Sequence, residues 1–138
     1  MIALFDTDVV LDLLLDRKPF AEAAAFLFSK AEEGEIQGYV SATTVTTIYY
    51  LASKTIGTNK AKWATRKLLS FLEVASVDRA VIEGALEGKY KDFEDGVVAE
   101  ATRQIRANII ITRNVRDYKT SPVPAQSPVE MLKILKAI

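Results

Sequence analysis

The sequence predicts an α/β fold in which a central parallel sheet is flanked by helices on both faces. Short apolar runs alternate along the chain with longer segments of helical periodicity, which is typical of strand–helix–strand units. A length of 138 residues suits one domain with a sizeable core, so we expect a single domain over residues 1–138. Right-handed crossovers would bring the carboxyl ends of the strands to one edge of the sheet, where open parallel sheets bind ligands.

The first two elements follow from an apolar run and the polar residues after it. Residues 2–5 are apolar throughout and predict a fully buried strand. Residues 9–15 predict a short helix, for which Thr7 or Asp8 is the expected N-cap. This helix cannot continue through Pro19, because proline lacks the backbone N–H that a helix interior requires.

The next segment predicts a helix, a strand and two further helices. The pattern of residues 20–33 is helical, and Gly34 is a natural stop. Residues 37–41 are a short strand candidate. The many Thr, Val, Ile and Tyr residues of segment 43–54 favour a strand, but its length and apolar spacing favour a helix, which we predict. Residues 58–71 form a clearly amphipathic helix.

The second half of the chain continues the alternation. Residues 73–77 predict a strand, and residues 78–87 predict a helix capped by Asp78. Residues 92–107 predict the next helix. The apolar run within residues 108–112 is the most convincing strand after the first.

The C-terminal part predicts a loop and a final helix. Three prolines within residues 122–128 mark a surface loop, with a short strand expected around Val123. Residues 129–138 predict the last helix, with Ser127 as its cap. This order of strands and helices would make Asp6 and Asp117 face the same crevice.

Composition excludes several kinds of chemistry. The chain has no His and no Cys, which rules out a Ser-His-Asp triad, a cysteine nucleophile and the usual zinc sites. Any metal ion must be held by oxygen, which favours Mg²⁺ or Mn²⁺. Lys plus Arg and Asp plus Glu each number 18, so a nucleic-acid partner would need a local basic patch.

Two further absences bear on location. No apolar stretch approaches the length of about 18 residues that a membrane span needs, and no basic region precedes the first apolar run as in a signal peptide. The lack of Cys fits a reducing compartment. We therefore expect a cytoplasmic protein that does not contact membranes.

Acidic residues follow apolar runs or begin helices at three places. Asp6 and Asp8 follow the first strand, Asp92 and Asp95 lie where a helix begins, and Asp117 follows the strand of residues 108–112. Carboxylates gathered at one edge of a sheet repel one another unless a cation offsets their charge. The pattern therefore predicts a metal site.

Each acid also has a local structural interpretation. Asp6 could cap a helix, Asp8 could be a solvated cap, and Asp117 could belong to a turn. Asp92 and Asp95 have the spacing of a capping box, although that motif prefers Glu or Gln at its fourth position. Any one acid is explained locally, whereas four acids converging on one edge are not.

Charged residues beside these acids are candidates for contacts with nucleic acid. The candidates are Arg113, Arg116, Lys119 and Lys91, which could hold a nucleic-acid backbone, although each is also explained as an ordinary surface charge. Glu94 is expected to point away from the face shared by its neighbouring acids and to be solvated.

The order of these motifs resembles the PIN-domain family of metal-dependent nucleases, most closely the small bacterial proteins related to VapC-type toxins. The opening Phe5-Asp6-Thr7-Asp8 is similar to the family's apolar-Asp-Thr-Asp/Asn motif. The matching segments are residues 5–11, 41–50, 92–95 and 112–118. The resemblance covers essentially the whole chain and implies a three-layer α/β/α fold, one or two Mg²⁺ or Mn²⁺ ions and phosphodiester hydrolysis of RNA.

The resemblance also assigns roles to residues. Asp6 matches the first family acid, Asp95 the third and Asp117 the fourth, which implies that all three hold metal. Asp92 is an added catalytic candidate. Polar residues that usually line the site are matched by Thr112 and Asn114, with Asp8 in a supporting role. For a toxin, the resemblance further implies an antitoxin partner and a homodimer.

One position departs from the family pattern. The second acid, normally Glu, should fall near Thr47, and the chain has no carboxylate between Glu35 and Glu73. Loss of this acid should lower metal affinity and make a two-metal site harder to hold. We expect one weakly bound metal ion, with Asp92 partly substituting for the missing charge and Thr47 offering a hydroxyl.

Two alternatives to a ribonuclease remain open. A degraded acidic site would make the protein a non-catalytic PIN-fold binding module. The Asp-x-Asp opening at Asp6 and Asp8 also resembles haloacid-dehalogenase-type phosphatases, in which the first Asp is a nucleophile. That family continues with Gly-Thr-Leu, whereas Val9-Val10-Leu11 stands here, and the chain is too short for the usual cap domain.

Overall fold

The computed structural model describes residues 1–136 and contains one five-stranded sheet. All strand pairs are parallel, and the spatial order is β3-β2-β1-β4-β5. The strands are β1 (Ile2–Phe5), β2 (Gln37–Ser41), β3 (Glu73–Ala75), β4 (Ile109–Ile111) and β5 (Ala125–Gln126). The predicted parallel sheet is therefore confirmed, and its centre is formed by β1.

Seven α-helices connect and cover the strands within the described residues. They are α1 (Thr7–Leu14), α2 (Ala21–Glu32), α3 (Ala42–Ile56), α4 (Thr58–Leu69), α5 (Arg79–Glu87), α6 (Phe93–Ile105) and α7 (Pro128–Lys136). A 3₁₀ helix spans Val115–Tyr118. Segment 43–54, ambiguous by propensity, is helical. Across residues 1–136, no helix combines the length and apolar character needed to cross a membrane.

Three details differ from the sequence-based predictions. The N-cap of α1 is Asp6 rather than Thr7 or Asp8, because its side chain accepts a hydrogen bond from the Thr7 amide. The short strand expected around Val123 lies at Ala125–Gln126, where the chain pairs with β4. The helix predicted over residues 129–138 begins at Pro128, and its last two residues lie outside the described part of the chain.

Alternate residues of the central strands face two separate apolar cores. One face carries Ala3 and Phe5, which pack with α1, α2, α4 and α7, and the Phe5 ring stacks on Phe28 with centroids 4.3 Å apart. The other face carries Leu4 and Ile110, which pack with α5 and α6. The two-residue period of a strand thus produces three layers, with helices on both faces of the sheet.

The pairing of β1 with β4 positions the candidate site. Phe5 and Ile111 are register partners, and the Asp6 amide donates a hydrogen bond to the Ile111 carbonyl oxygen at 2.9 Å. The next residues, Asp6 and Thr112, consequently leave the sheet side by side at its carboxyl edge.

Candidate active site

Asp6 is a buried carboxylate held by three donors. Its Oδ1 accepts a hydrogen bond from the Thr7 amide at 2.8 Å, and its Oδ2 accepts from Thr112 Oγ1 at 2.8 Å and Tyr118 Oη at 2.9 Å. Burial raises the pKa of Asp6, even though all three hydrogen bonds favour the charged form. Asp6 thus both caps α1 and presents a carboxylate at the sheet edge.

Asp95 lies in the first turn of α6 and approaches Asp6 through Tyr118. The Tyr118 hydroxyl is 3.4 Å from Asp95 Oδ1. Burial, followed by the charges of Asp6, Asp92 and Asp117, raises the pKa of Asp95 to about 7. Asp6, Asp92 and Asp117 are therefore within electrostatic range of Asp95.

Asp117 belongs to the 3₁₀ helix that follows β4 and is half-buried. Its charge contributes to the raised pKa values of both Asp6 and Asp95. Asp117 is therefore within electrostatic range of the other two acids that the resemblance assigns to the metal, but it does not line the cleft that contains them.

Asp8 contacts the loop after β4 and does not cap α1. Its Oδ2 accepts hydrogen bonds from the Arg113 amide at 3.1 Å and from Asn114 Nδ2 at 3.1 Å. Burial and the nearby Asp6 charge raise the pKa of Asp8 to about 6. Its Oδ1 is buried without a hydrogen-bond partner in the described structure, so this carboxylate retains an unused acceptor.

The start of α6 differs from the predicted capping box. Asp92 is exposed and caps the helix by accepting a hydrogen bond from the Glu94 amide at 2.8 Å. Asp95 turns instead towards Tyr118. A cleft of about 330 Å³ is lined by Asp6, Asp8, Asp95 and Glu94 together with Thr7, Leu11, Arg17, Val98, Arg113 and Asn114. Glu94 is exposed, as expected for a solvated side chain, although it also borders this cleft.

The polar candidates Thr112 and Thr47 occupy different environments. Thr112 is buried, and its hydroxyl donates to Asp6 and accepts a hydrogen bond from the Asn114 amide at 3.0 Å. Thr47 is half-buried on α3, one helical turn beyond Thr44, whose hydroxyl lies 3.0 Å from that of Thr7. Thr112 thus orients Asp6, while Thr47 lies on the helix that also contacts the start of α1.

The basic candidates are divided between the cleft and the outer surface. Arg113 lines the cleft. The side chains of the other three candidates are exposed on the outer surface: Arg116, Lys119 and Lys91.

Sequence reasoning missed an ionic network beside these acids. Asp12, only 1% exposed, accepts hydrogen bonds from Arg17 Nε at 2.9 Å and from Arg113 Nε at 2.7 Å. A signal existed, because Asp12 interrupts an otherwise apolar helical run and a charge on such a face is rarely buried without partners.

The donor chemistry suits a hard divalent cation. Within residues 1–136, no three acidic side chains are already gathered closely enough to hold an ion, so binding would draw them together. The cleft nevertheless supplies oxygen donors only, an unpartnered oxygen on Asp8, and mutually repelling carboxylates whose pKa values are raised. Mg²⁺ and Mn²⁺ fit such a donor set.

Comparisons with known proteins give the same fold. The family model described as PIN domain matches residues 3–116, and no curated protein matches the sequence. A toxin–antitoxin complex from Klebsiella pneumoniae is 25% identical, with a TM-score of 0.67 over 91% of this chain and 97% of that chain. VapBC2 from Rickettsia felis, bound to a promoter DNA fragment, is 15% identical with a TM-score of 0.71 over 92% and 98% of the two chains.

A third structure is VapC20 from Mycobacterium tuberculosis, a toxin that cleaves the sarcin–ricin loop. It is 15% identical, with a TM-score of 0.63 over 78% of this chain and 86% of that chain. The fold is thus that of PIN-domain proteins. Since the family model spans most of the sequence, the chain belongs to the PIN-domain family. This assignment replaces the haloacid-dehalogenase alternative.

Proposed function

We propose that the protein is a metal-dependent ribonuclease that hydrolyses phosphodiester bonds in RNA. The observation that carries this proposal is the pair of carboxylates beside the Tyr118 hydroxyl, with Asp6 at 2.9 Å and Asp95 at 3.4 Å. Burial and the charges of Asp6, Asp92 and Asp117 raise the pKa of Asp95 to about 7. Membership of the PIN-domain family and the likeness to toxin structures support the same activity.

In this proposal, Asp6, Asp95 and Asp117 hold one Mg²⁺ or Mn²⁺ ion. When bound, the ion lowers the pKa of a water molecule and offsets negative charge on the transferring phosphoryl group. Thr112 and Tyr118 fix the orientation of Asp6 by donating hydrogen bonds to its Oδ2. Outer hydrogen bonds of this kind align metal-binding carboxylates.

Asp95 is also the best candidate to accept a proton from the attacking water. The role is assigned on position, because Asp95 lines the cleft and lies beside Tyr118 and Asp6; its pKa of about 7 belongs to the metal-free protein, and a bound cation would lower it. Asp92 was expected to share this role, but it is exposed and absent from the cleft lining, where Glu94 stands instead. We therefore assign Asp92 mainly to capping α6.

The RNA backbone would be held by cationic residues around the acids. Arg113 lines the cleft, while Arg116, Lys119 and Lys91 are exposed and could contact phosphates further along the strand. Because the net charge of the chain is zero, local rather than global positive charge must attract RNA.

Thr47 favours a second candidate function, a non-catalytic RNA-binding module. The side chain at this position carries no charge, so the site has one carboxylate fewer than the family pattern implies. If this loss abolishes productive metal binding, the same cleft binds RNA without cutting it.

We further propose an antitoxin partner, as the toxin–antitoxin complexes of similar fold suggest. A homodimer and a cytoplasmic location are proposed from the family resemblance. An apolar groove of about 610 Å³ lies between α1, α2, α3 and α4, and its rim carries Trp63, which is 68% exposed. Coexpression with the product of the neighbouring open reading frame tests the partner. Copurification that Trp63→Asp abolishes would support this groove as the contact.

Cleavage of labelled RNA with Mn²⁺ tests the main proposal. We expect wild-type protein to cleave with Mn²⁺ and to be inactive with EDTA, and Asp6→Asn to lose about a hundredfold in rate. Asn can still cap α1. Asp78→Asn is the control, because Asp78 is also a helix N-cap, on α5, where it accepts a hydrogen bond from the Val81 amide. Absence of any metal-dependent cleavage would favour the binding module.

A further inference from the structure

Asp12 joins two arginines from distant parts of the sequence. Its Oδ1 accepts hydrogen bonds from Arg17 Nε at 2.9 Å and Arg113 Nη2 at 3.2 Å, and its Oδ2 accepts from Arg113 Nε at 2.7 Å. Arg17 Nη2 also donates to the Asp8 carbonyl oxygen at 3.2 Å. Arg17 and Arg113 together are called the arginine pair below.

The charges of this group do not balance. One buried carboxylate carries a single negative charge, whereas the arginine pair carries two positive charges. One arginine would be enough to neutralise the buried Asp12 carboxylate. The burial of Asp12 therefore does not by itself explain why a second arginine contacts it. Asp12 and the arginine pair together carry one net positive charge, and the neighbouring Asp8 carboxylate, whose pKa burial raises and the Arg113 charge lowers, faces it.

Both guanidinium groups are held in defined orientations. The Arg113 guanidinium lies over the Phe20 ring, 3.9 Å from the ring centre, and Arg17 is fixed by Asp12 and the Asp8 carbonyl oxygen. Orienting a guanidinium in advance lowers the entropy cost of binding an anion.

The arginine pair also keeps donors for a ligand. Of the five N–H donors of each guanidinium, two are used in the side-chain contacts described here. The two side chains are 39% and 29% exposed, and both line the cleft that contains Asp6 and Asp95. Planar, paired donors match the oxygens of a phosphate group.

We propose that the arginine pair binds a non-scissile phosphate of the RNA backbone and that Asp12 positions both arginines. This inference rests on the proposed function, in which the carboxylates act on the neighbouring scissile phosphate. The substrate is thus an RNA strand with more than one phosphodiester bond, held through its backbone rather than its bases.

Binding of a short, fluorescein-labelled single-stranded RNA in EDTA tests the pair without cleavage. Arg17→Ala is expected to raise Kd about tenfold and to reduce the slope of log K against log salt by about 0.7, the value for one phosphate contact on a single strand. Arg17→Lys should restore most of the slope, because a lysine still supplies a point charge.

Arg79→Ala is the matched control, since Arg79 also forms an ion pair through Nε, with Glu83 at 2.6 Å, but on α5. Equal Kd values and slopes for Arg17→Ala and Arg79→Ala would overturn the proposal, as would failure of wild-type protein to bind RNA. If RNA binds through Arg17 but is never cut with Mn²⁺, the arginine pair stands and the nuclease proposal fails.

The role of Asp12 is tested by a double-mutant cycle. In an Asp12→Asn background, Arg17→Ala should change Kd by about twofold or less, because Arg17 is no longer held in place. A purely structural Asp12 would lower the unfolding temperature but leave the effect of Arg17→Ala undiminished, which would overturn its positioning role. If Asp12→Asn does not fold, the cycle is run between Arg17→Ala and Arg113→Ala. Additive effects of these two changes on the free energy of RNA binding would contradict the binding of one phosphate by both arginines.

Discussion

The buried hydroxyl of Tyr118 donates a hydrogen bond to Oδ2 of Asp6 across a distance of 2.9 Å. The two residues are separated by 112 positions in the sequence and meet because β1 and β4 are neighbours in the sheet. The same hydroxyl lies 3.4 Å from Asp95. A hydroxyl has only one proton to donate, and the shorter distance indicates that Tyr118 donates it to Asp6. Asp95 therefore receives at most a weak hydrogen bond from Tyr118.

Replacing Tyr118 with Phe tests this relationship. The ring can keep its buried position, whereas Asp6 loses one of its three donors, so we expect a loss of about 1 kcal/mol in the free energy of unfolding. Mn²⁺ affinity, measured by calorimetry, should fall about tenfold, because Asp6 is less firmly oriented.

Tyr90→Phe provides the control for that change. Tyr90 also donates a hydrogen bond to a carboxylate, Glu100 Oε2, at 2.5 Å, but neither residue lines the acidic cleft. The Tyr90→Phe variant should have a lower free energy of unfolding than wild type but the same Mn²⁺ affinity. Equal affinity losses in the two variants would contradict a specific role for Tyr118.

The raised pKa of Asp95 predicts how stability of the metal-free protein depends on pH. The folded pKa of about 7 lies above the ordinary value of 3.8, so the folded state binds the proton more tightly than the unfolded state. This contribution is fully present below the unfolded pKa and is lost as pH rises towards about 7. Asp8, with a pKa of about 6, acts in the same direction.

Urea unfolding in EDTA across this pH range measures the effect. Wild-type protein should lose more stability than Asp95→Asn between about pH 4 and about pH 7, because Asn does not ionise. Mn²⁺ should reverse the trend, since it binds the ionised carboxylates of the folded state. Parallel pH profiles of wild type and Asp95→Asn would show that Asp95 titrates normally.

Single substitutions of Asp92 and Glu94 test which of these two acids at the start of α6 contributes to metal binding and which only caps the helix. Asp92→Asn should leave Mn²⁺ affinity within about twofold, because Asn retains the cap, and Asp92→Ala should cost about 1 kcal/mol of stability. Glu94→Gln should weaken Mn²⁺ binding more than Asp92→Asn, because Glu94 lines the cleft. The reverse order in calorimetry would restore Asp92 as the substitute acid.

Introducing a carboxylate at Thr47 should strengthen the site. If this position is the family's second acid, Thr47→Glu raises Mn²⁺ affinity and the rate of RNA cleavage. Thr46→Glu is the control, because Thr46 is the exposed neighbour on α3 and its charge faces solvent. Equal effects of both variants would mean that Thr47 does not mark the missing acid.

Local patterns predicted the sheet and the place of the main acids. The apolar run ending at Phe5 and the run ending at Ile111 are buried neighbours, so Asp6 and Thr112 emerge together. Such predictions succeed because strand burial and parallel connectivity depend on sequence patterns of short range.

Side-chain partners could not be predicted in the same way. Whether Asp8 caps α1 or contacts Arg113 depends on the path of a loop about a hundred residues away. The ion pair between Asp12 and Arg113 links residues 101 positions apart in the sequence, and no local pattern predicts it. Residue spacing predicted that Glu94 is exposed, but it could not show that the cleft extends as far as Glu94.

The central claim is that the acidic cleft uses a divalent ion to cut RNA. Its most direct test is the initial rate of RNA cleavage as a function of Mn²⁺ concentration, for wild type and Asp95→Asn. We expect a saturable rate for wild type and a rate about a hundredfold lower for Asp95→Asn. Identical rates and identical Mn²⁺ dependence in the two proteins would contradict it.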